Sequence, residues 1–180
     1  YTASISPAGL RCAGEVADGV FPMMMDPLKF DELQRPHLEA GFAKAGGGKS
    51  LDDFAVCPGV SVIISDEPEK ARMPVKMQLA LYIGGMGARD KNFYNDYAKR
   101  MGYEEAAVKI QDLFLDGKRA EAVAAVPDEL VDDVHLVGSA DYIRDRLSVW
   151  KEAGAQRHVD TMLIGTGQVE ALELVAETVL

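Results

Sequence analysis

The first residues of the chain have the types and the spacing of an anion-binding site. Residues 1–5 are typical of a strand, the Ser6-Pro7 pair predicts a tight turn, residues 8–17 predict a short helix, and a second strand begins near Val20. This order places a helix N-terminus, with unpaired backbone N–H groups and the positive end of its dipole, where α/β folds bind phosphate. A simple helix cap at Ser6, with Pro7 at the first helical position, is the alternative.

Two other segments carry groups that bind anions. Residues 46–50, Gly-Gly-Gly-Lys-Ser, match the end of a nucleotide-binding loop, but Ala43 stands where the first glycine is required and a helix precedes them. We interpret them as a mobile loop. In residues 84–95, glycines precede Arg89 and Lys91, which could hold an anionic substrate or coenzyme tail. A solvated helix start capped by an Asn or Asp is the equal alternative there.

Metal chemistry is not indicated by the titratable residues. The histidines, His37, His135 and His158, are scattered, and none has a second His or Cys at ligand spacing. Asp132 and Asp133 lie near His135, but we interpret them as an acidic helix face in water.

The sulfur-containing residues predict packing. Cys12 on a predicted helix and Cys57 in a predicted strand are interpreted as reduced thiols in or near the core, because two cysteines make no disulfide framework. Residues 23–25, three methionines at the end of the second strand, could line a substrate pocket, although packing is the favoured interpretation.

Alternating strands and helices must position these groups. Strands are predicted at 1–5, 20–24, 54–64 (interrupted by Pro58-Gly59) and 161–164. Helices are predicted at 8–17, 27–45 with a bend at Pro36, 65–84, 92–101, 104–115, 120–125, 128–136, 139–153 capped by Ser139, and 169–179.

This pattern favours an α/β fold with a parallel sheet and right-handed crossovers. Four strand-helix units are half of a (β/α)8 TIM barrel, whose usual size is about 250 residues. A flavodoxin-like open sheet fits less well, because the connection before the last strand is far longer than a doubly wound fold needs. We therefore predict the C-terminal half of a (β/α)8 barrel, with a long helical insertion before the last strand.

Composition and charge narrow the function classes. A net charge of −10 argues against a nucleic-acid partner, because phosphate binding needs clustered Lys and Arg. No apolar run reaches the roughly 18 residues of a membrane span. We expect a cytoplasmic protein with one domain over residues 1–180 and a small-molecule substrate. Because Tyr1 is not an initiator methionine and no turn precedes the first strand, the sequence is also expected to begin inside a larger fold.

Several segments resemble one enzyme family. Residues 3–20, with the letters ASISPAGLRCAGEVADGV, are similar to the middle of luciferase-like oxidoreductases, which have a strand, a small-residue-Pro turn, a helix ending AGExADG and a strand. The subgroup that uses the deazaflavin coenzyme F-420 has segments similar to residues 84–95. Residues 126–132 and 136–154 resemble the family's C-terminal region. The resemblance covers nearly the whole chain, but only the C-terminal half of the family's barrel.

The resemblance implies a coenzyme site at the opening turn. In such proteins the coenzyme phosphate lies on backbone N–H groups after the fifth strand, which correspond to Ser4, Ile5 and Ser6. Ile5 and Ser6 replace glycines that are frequent there. Met23 matches a position that faces the coenzyme, and its side chain can only pack. Since no residue reads as a general acid, base or nucleophile, the catalytic residues are expected in the half that the resemblance does not cover.

The resemblance therefore implies an oxidoreductase that uses coenzyme F-420 for hydride transfer, with this chain as the phosphate-binding half. An FMN-dependent luciferase-like monooxygenase is one alternative, because FMN also carries a phosphate. A non-catalytic binding or assembly module is the other, since a half barrel leaves two open sheet edges and an apolar inner face. The same open edges predict a homo-oligomer.

Overall fold

The computed structural model describes residues 1–179. Its strands are β1 (Gly19–Val20), β2 (Ala55–Val56), β3 (Gly59–Ile64), β4 (Leu136–Gly138) and β5 (Leu163–Gly165). Its α-helices are α1 (Pro7–Val16), α2 (Phe30–Leu33), α3 (Arg35–Ala45), α4 (Pro68–Ala80), α5 (Phe93–Arg100), α6 (Glu104–Leu115), α7 (Arg119–Ala124), α8 (Asp128–Val134), α9 (Ala140–Ala155) and α10 (Val169–Val179). A π-helix, Leu81–Gly85, continues α4. No helix in this range is long and apolar enough to cross a membrane.

The strands form open parallel pairs. A single bridge joins Thr2 to Val20, β1 pairs with β2, and β3 pairs with β5 on one side and β4 on the other. Cys57 and Pro58 separate β2 from β3, which confirms the predicted interruption. The first segment, β1, the β2–β3 segment and β5 thus follow one another in chain order. That is the arrangement of successive strand-helix units.

The helices α1, α3, α9 and α10 cover one face of the strands. The buried residues of this core include Leu10, Leu38, Val60, Val62 and Trp150. Because side chains alternate along a strand, Ser61 and Ile63 point to the opposite face. We call that opposite face the inner face, since it is the one that a closed barrel would enclose.

The close contact between α1 and α3 depends on two glycines. A Cβ at Gly14 would lie 2.5 Å from the Leu38 carbonyl oxygen, and one at Gly41 would lie 2.3 Å from the Arg11 carbonyl oxygen. The two helix backbones therefore touch where these residues cross. This contact fixes the helix that begins at the opening turn.

The segment between β3 and β4, which we call the insertion, contains a second core. The helices from α4 to α8 surround buried Leu79, Ile83, Ile110 and Leu130, among others. Arg72 on α4 donates two hydrogen bonds to the Asp132 carboxylate on α8, at 3.0 and 2.8 Å, and ties the first and last helices of this insertion together.

The insertion differs from its prediction at its end. Residues 128–136 were expected to be one helix with no strand before Val137, but α8 ends at Val134 and Leu136–Gly138 form β4. The register pairs Leu136 with Val62 and Gly138 with Ile64. The unpaired edge of β3 therefore decides the conformation of these apolar residues, which have no strand partner within their own segment.

Two other predicted elements have different bounds. Within residues 1–5 only Thr2 forms a ladder bridge. The helix expected over residues 27–45 begins with a 3-10 turn at Pro27–Lys29 and divides at Gln34 into α2 and α3, two residues before the predicted bend at Pro36. Pro36 lies in the first turn of α3, where its missing N–H costs no hydrogen bond within the helix.

Candidate functional site

A cleft lies on the inner face, beneath the insertion. Its volume is about 180 Å³, and it is lined by Met23, Met24, Gly59, Val60, Ser61, Gln78, Leu79, Tyr82, His135, Leu163 and Gly165. We call it the inner-face cleft. None of these lining residues carries a permanent charge, although the chain has a net charge of −10.

The floor of the cleft is formed by β3 and β5. Their register pairs Gly59 with Leu163 and Ser61 with Gly165. A Cβ at Gly59 would meet nothing within 4 Å, and one at Gly165 would meet only atoms at 3.9 Å or beyond. The two glycines therefore leave a flat backbone surface on which a planar group can lie.

His135 enters the cleft from the end of α8. Its Nδ1 accepts a hydrogen bond of 3.0 Å from the Ser61 backbone N–H, at a point where β3 is in register with β5 but lies before its pairing with β4. Burial lowers the pKa of His135 to about 4, because the charged ring would lose its hydration. The ring is therefore neutral at pH 7, and its proton lies on Nε2.

The π-helix supplies the wall opposite the strands. Its wider turns leave carbonyl groups without their α-helical partners, and the buried Asn92 side chain donates 2.9 Å hydrogen bonds to the carbonyls of Tyr82 and Ile83. Asn95 donates to the Ile83 carbonyl as well, at 3.2 Å. The Tyr82 ring contacts Tyr94 edge-on, with 4.7 Å between ring centroids. These contacts fix Tyr82 at the cleft, and π-helical turns are frequent at functional sites.

The three methionines after β1 have separate positions. Met23 is half-buried, packs against the second core as the favoured interpretation of residues 23–25 predicts, and lines the cleft. Its place facing the coenzyme stays a prediction. Met24 also lines it and has a φ of 57°, which is rare for a residue with a side chain. Met25 is buried in the core under the helices. A positive φ in a residue with a side chain, as at Met24, is frequent at binding sites.

The opening turn lies at the start of α1, outside the residues that line the cleft. Ser6 is the N-cap, because its hydroxyl accepts a 3.1 Å hydrogen bond from the Gly9 N–H. The Ser4 hydroxyl lies 3.5 Å from the Thr2 hydroxyl, and Ile5 is buried in the same cluster as Met24. Among residues 1–179, the backbone N–H groups of Ser4, Ile5 and Ser6 have no hydrogen-bond partner.

A guanidinium group lies beside this turn. Arg100, at the end of α5, donates a 3.0 Å hydrogen bond to the Ile5 carbonyl, and its guanidinium lies 5.2 Å from the centre of the Tyr97 ring. The pKa of His37 is lowered by burial and by the nearby charges of Arg11 and Arg100. The site therefore combines open N–H donors, the positive end of α1 and the Arg100 guanidinium, which is the chemistry of an anion site.

Other candidate residues are occupied elsewhere. Arg89 forms an ion pair with Asp112, and Asn92 is the cap of α5, as one of the two interpretations of that segment predicts. The loop after α3 extends into open space from Gly46 to Gly48, and Lys49 donates to the Ala17 carbonyl, so residues 46–50 do not form a phosphate loop.

The acidic residues near His135 do not form the predicted solvated face. Asp132 binds Arg72, and Asp133 accepts a 2.6 Å hydrogen bond from the Tyr103 hydroxyl. Within residues 1–179 no cluster of three or more His, Cys, Asp or Glu residues could hold a metal ion. Cys57 is buried, but Cys12 is exposed, which corrects the prediction that both thiols pack near the core.

Sequence reasoning did not find His135, Tyr82 or Arg100. His135 was not selected because it has no second metal-ligating residue at the right spacing in the sequence. Its place depends on the Ser61 N–H, which β4 leaves without a backbone partner, and only the strand pairing of the folded chain shows this. Tyr82 and Arg100 lie in segments that were predicted as ordinary helices. The two adjacent glycines after Ile83 were the available signal for an irregular helix end.

The sequence and the fold agree with one family of enzymes. The chain belongs to the luciferase-like monooxygenase family, whose model matches residues 1–157. It is 36% identical, over 96% of its length, to a protein of Mycobacterium tuberculosis named for a coenzyme F-420-dependent oxidoreductase. It is 28% identical, over its whole length, to 5,10-methylenetetrahydromethanopterin reductase of Methanopyrus kandleri. The chain spans about half of these relatives, 48% and 49%.

Solved structures show the same coverage. The coenzyme F-420-dependent tetrahydromethanopterin reductase of Methanopyrus kandleri matches 98% of the chain with a TM-score of 0.69 and 24% identity, and 48% of that structure is covered. A coenzyme F-420-dependent secondary alcohol dehydrogenase matches 99% of the chain with a TM-score of 0.66 and 14% identity. The described residues therefore correspond to about half of a luciferase-like TIM barrel, with the open sheet described above.

Proposed function

We propose that the protein is an oxidoreductase that uses coenzyme F-420 for two-electron hydride transfer, and that this chain binds the coenzyme phosphate at the turn of Ser4, Ile5 and Ser6. The observation that carries the proposal is the set of open N–H groups on that turn beside the Arg100 guanidinium. Homology to an enzyme named for this coenzyme, at 36% identity, supports it.

The residues present fit a phosphate group. The unpartnered N–H donors lie in the turn before α1, and the Ser6 hydroxyl, which accepts from the Gly9 N–H as the cap, keeps its own O–H to donate. Arg100 is fixed beside the turn by its bond to the Ile5 carbonyl and by the Tyr97 ring, and retains donors for an anion. The deazaflavin ring, when bound, would supply the hydride; this chain would orient and shield it.

Fluorescence titration of the full protein with coenzyme F-420 and with FMN tests the proposal. We expect tight binding of coenzyme F-420 alone. Arg100→Gln should weaken that binding by about tenfold or more, because a hydrogen bond to a charged group is lost. Arg144→Gln is the matched control, since Arg144 pairs with Asp141 at the exposed start of α9.

A phosphate-free deazaflavin distinguishes the phosphate from the ring. It should bind the wild type and the Arg100→Gln variant equally. Binding of FMN alone would favour an FMN-dependent monooxygenase, and binding of neither compound would favour a binding or assembly module. If Arg100→Gln binds coenzyme F-420 as well as the wild type does, the proposed phosphate site is wrong.

A further inference from the structure

The inner-face cleft excludes charge and offers hydrogen-bond donors. Its lining consists of apolar groups, two glycines and the polar side chains of Ser61, Gln78, Tyr82 and His135. A charged ligand group would lose its hydration there without finding an opposite charge, which is costly in a site of low polarity. The cleft therefore suits an uncharged ligand group.

His135 is the most constrained donor of the cleft. It is 7% exposed, and the Ser61 N–H occupies its Nδ1. Its Nε2 has no hydrogen-bond partner among residues 1–179. The atom is not fully enclosed, so a ligand can reach it. Since the ring is neutral with Nδ1 as an acceptor, Nε2 carries the proton and presents an N–H to the cleft.

The surroundings of His135 define the size and shape of the ligand group. A cleft of about 180 Å³ holds a group the size of about six water molecules, at about 30 Å³ each. Gly59 and Gly165 provide a flat floor, and Met23, Leu79 and Leu163 provide apolar contacts. A small, mainly apolar group with one oxygen acceptor satisfies both the walls and the free N–H.

We propose that His135 binds the substrate, and that its Nε2–H donates a hydrogen bond to a carbonyl or hydroxyl oxygen of a small uncharged molecule in the inner-face cleft. The Ser61 N–H acts through His135 as a positioning group, because it fixes which ring nitrogen carries the proton. That a small uncharged molecule binds is inferred from the geometry of the cleft. That this molecule is the substrate of a hydride transfer rests on the proposed function.

Nitrogen NMR of the full protein, labelled with 15N-histidine and without coenzyme, tests the inference. The unliganded protein should show His135 as the neutral Nε2–H form at pH 7. Cyclohexanone is the probe, and cyclohexanecarboxylate is the matched anion of similar shape. Cyclohexanone should shift the His135 Nε2 signal in a saturable way, and the carboxylate should not. The signals of His37, which lies on α3 outside the cleft, serve as the internal control.

Two results would overturn the inference. One is a His135 proton on Nδ1, and the other is a His135 signal that does not respond to cyclohexanone or responds equally to the carboxylate. His135→Gln gives a second test, because an amide can accept from Ser61 and still donate to the ligand. It should retain cyclohexanone affinity within about fivefold, measured by ligand-observed NMR, whereas His135→Phe should lose it. Because no coenzyme is added, failure here is distinct from failure to bind coenzyme F-420.

Discussion

His135 gives the clearest prediction at the scale of a single residue. The folded protein binds a proton at His135 only near pH 4, whereas an unfolded chain binds it near pH 6.5. The stability that this group contributes is therefore complete above pH 6.5 and is lost as the pH falls toward 4. From pH 7 to pH 5, we expect the free energy of unfolding to fall by about 2 kcal/mol through this residue.

Urea unfolding of the wild type and of His135→Gln at both pH values measures this contribution. The glutamine variant cannot titrate, so its stability should depend less steeply on pH. The comparison is needed because burial raises the pKa of Asp26, which acts in the opposite direction and favours the folded state as the pH falls. Equal pH dependence in the two proteins would contradict the assignment of His135 as a buried neutral ring.

At the scale of one element, the π-helix depends on its two glycines to different degrees. A Cβ at Gly84 would lie 2.6 Å from the Phe114 Cβ, close to the backbone of α6, whereas one at Gly85 would lie 2.4 Å from the Cε1 of the Phe114 ring. The ring can rotate, but the Cβ cannot move without its helix. We expect Gly84→Ala to lower the free energy of unfolding by about 1–3 kcal/mol, and Gly85→Ala by clearly less.

Chemical denaturation of both variants measures the difference. Gly59→Ala is the control for glycine replacement itself, because a Cβ there meets nothing within 4 Å. Equal losses at Gly84 and Gly85 would show that Phe114 does not hold the π-helix in place.

Elements with a local signal could be predicted from the sequence. Ser139 was predicted as a cap and is one, Ser6 is the cap that one of its two interpretations predicts, and Pro58 marks the break between β2 and β3. β4 could not be predicted, because Leu136–Gly138 become a strand only through pairing with β3, whose edge lies far away in the sequence. The cleft was missed for the same reason, since β3, β5, the π-helix and the end of α8 meet only in the folded chain.

At the scale of the whole molecule, part of the inner face of the open sheet is uncovered. Phe21 and Leu163 are 37% and 44% exposed there, and the Tyr1 ring lies 5.3 Å from the ring of Phe21. Exposed apolar surface beside unpaired strand edges favours association. We expect residues 1–180, expressed alone, to form dimers or larger species whose fraction rises with concentration in sedimentation velocity.

A matched pair of variants tests which surface is responsible. Leu163→Glu should reduce association, because it places a charge on the inner face. Leu172→Glu should not, although Leu172 is similarly exposed at 49%, because it lies on α10. A stable monomer of the wild-type segment at every concentration would contradict the half-barrel interpretation of this surface.

The pairing of β4 with β3 brings the two ends of the insertion together. The chain leaves β3 at Ile64 and returns beside it at Gly138, and these residues are partners in neighbouring strands, which lie about 4.8 Å apart. A connection of one or two residues could therefore join β3 to α9 and leave an ordinary strand-helix-strand unit. Evolution could lengthen, shorten or exchange the segment between these points without rearranging the strands that carry the opening turn. The segment carries Arg100, which donates to the Ile5 carbonyl of the turn, as well as Tyr82 and His135 of the cleft. An exchange of the segment would therefore change coenzyme retention and substrate preference together.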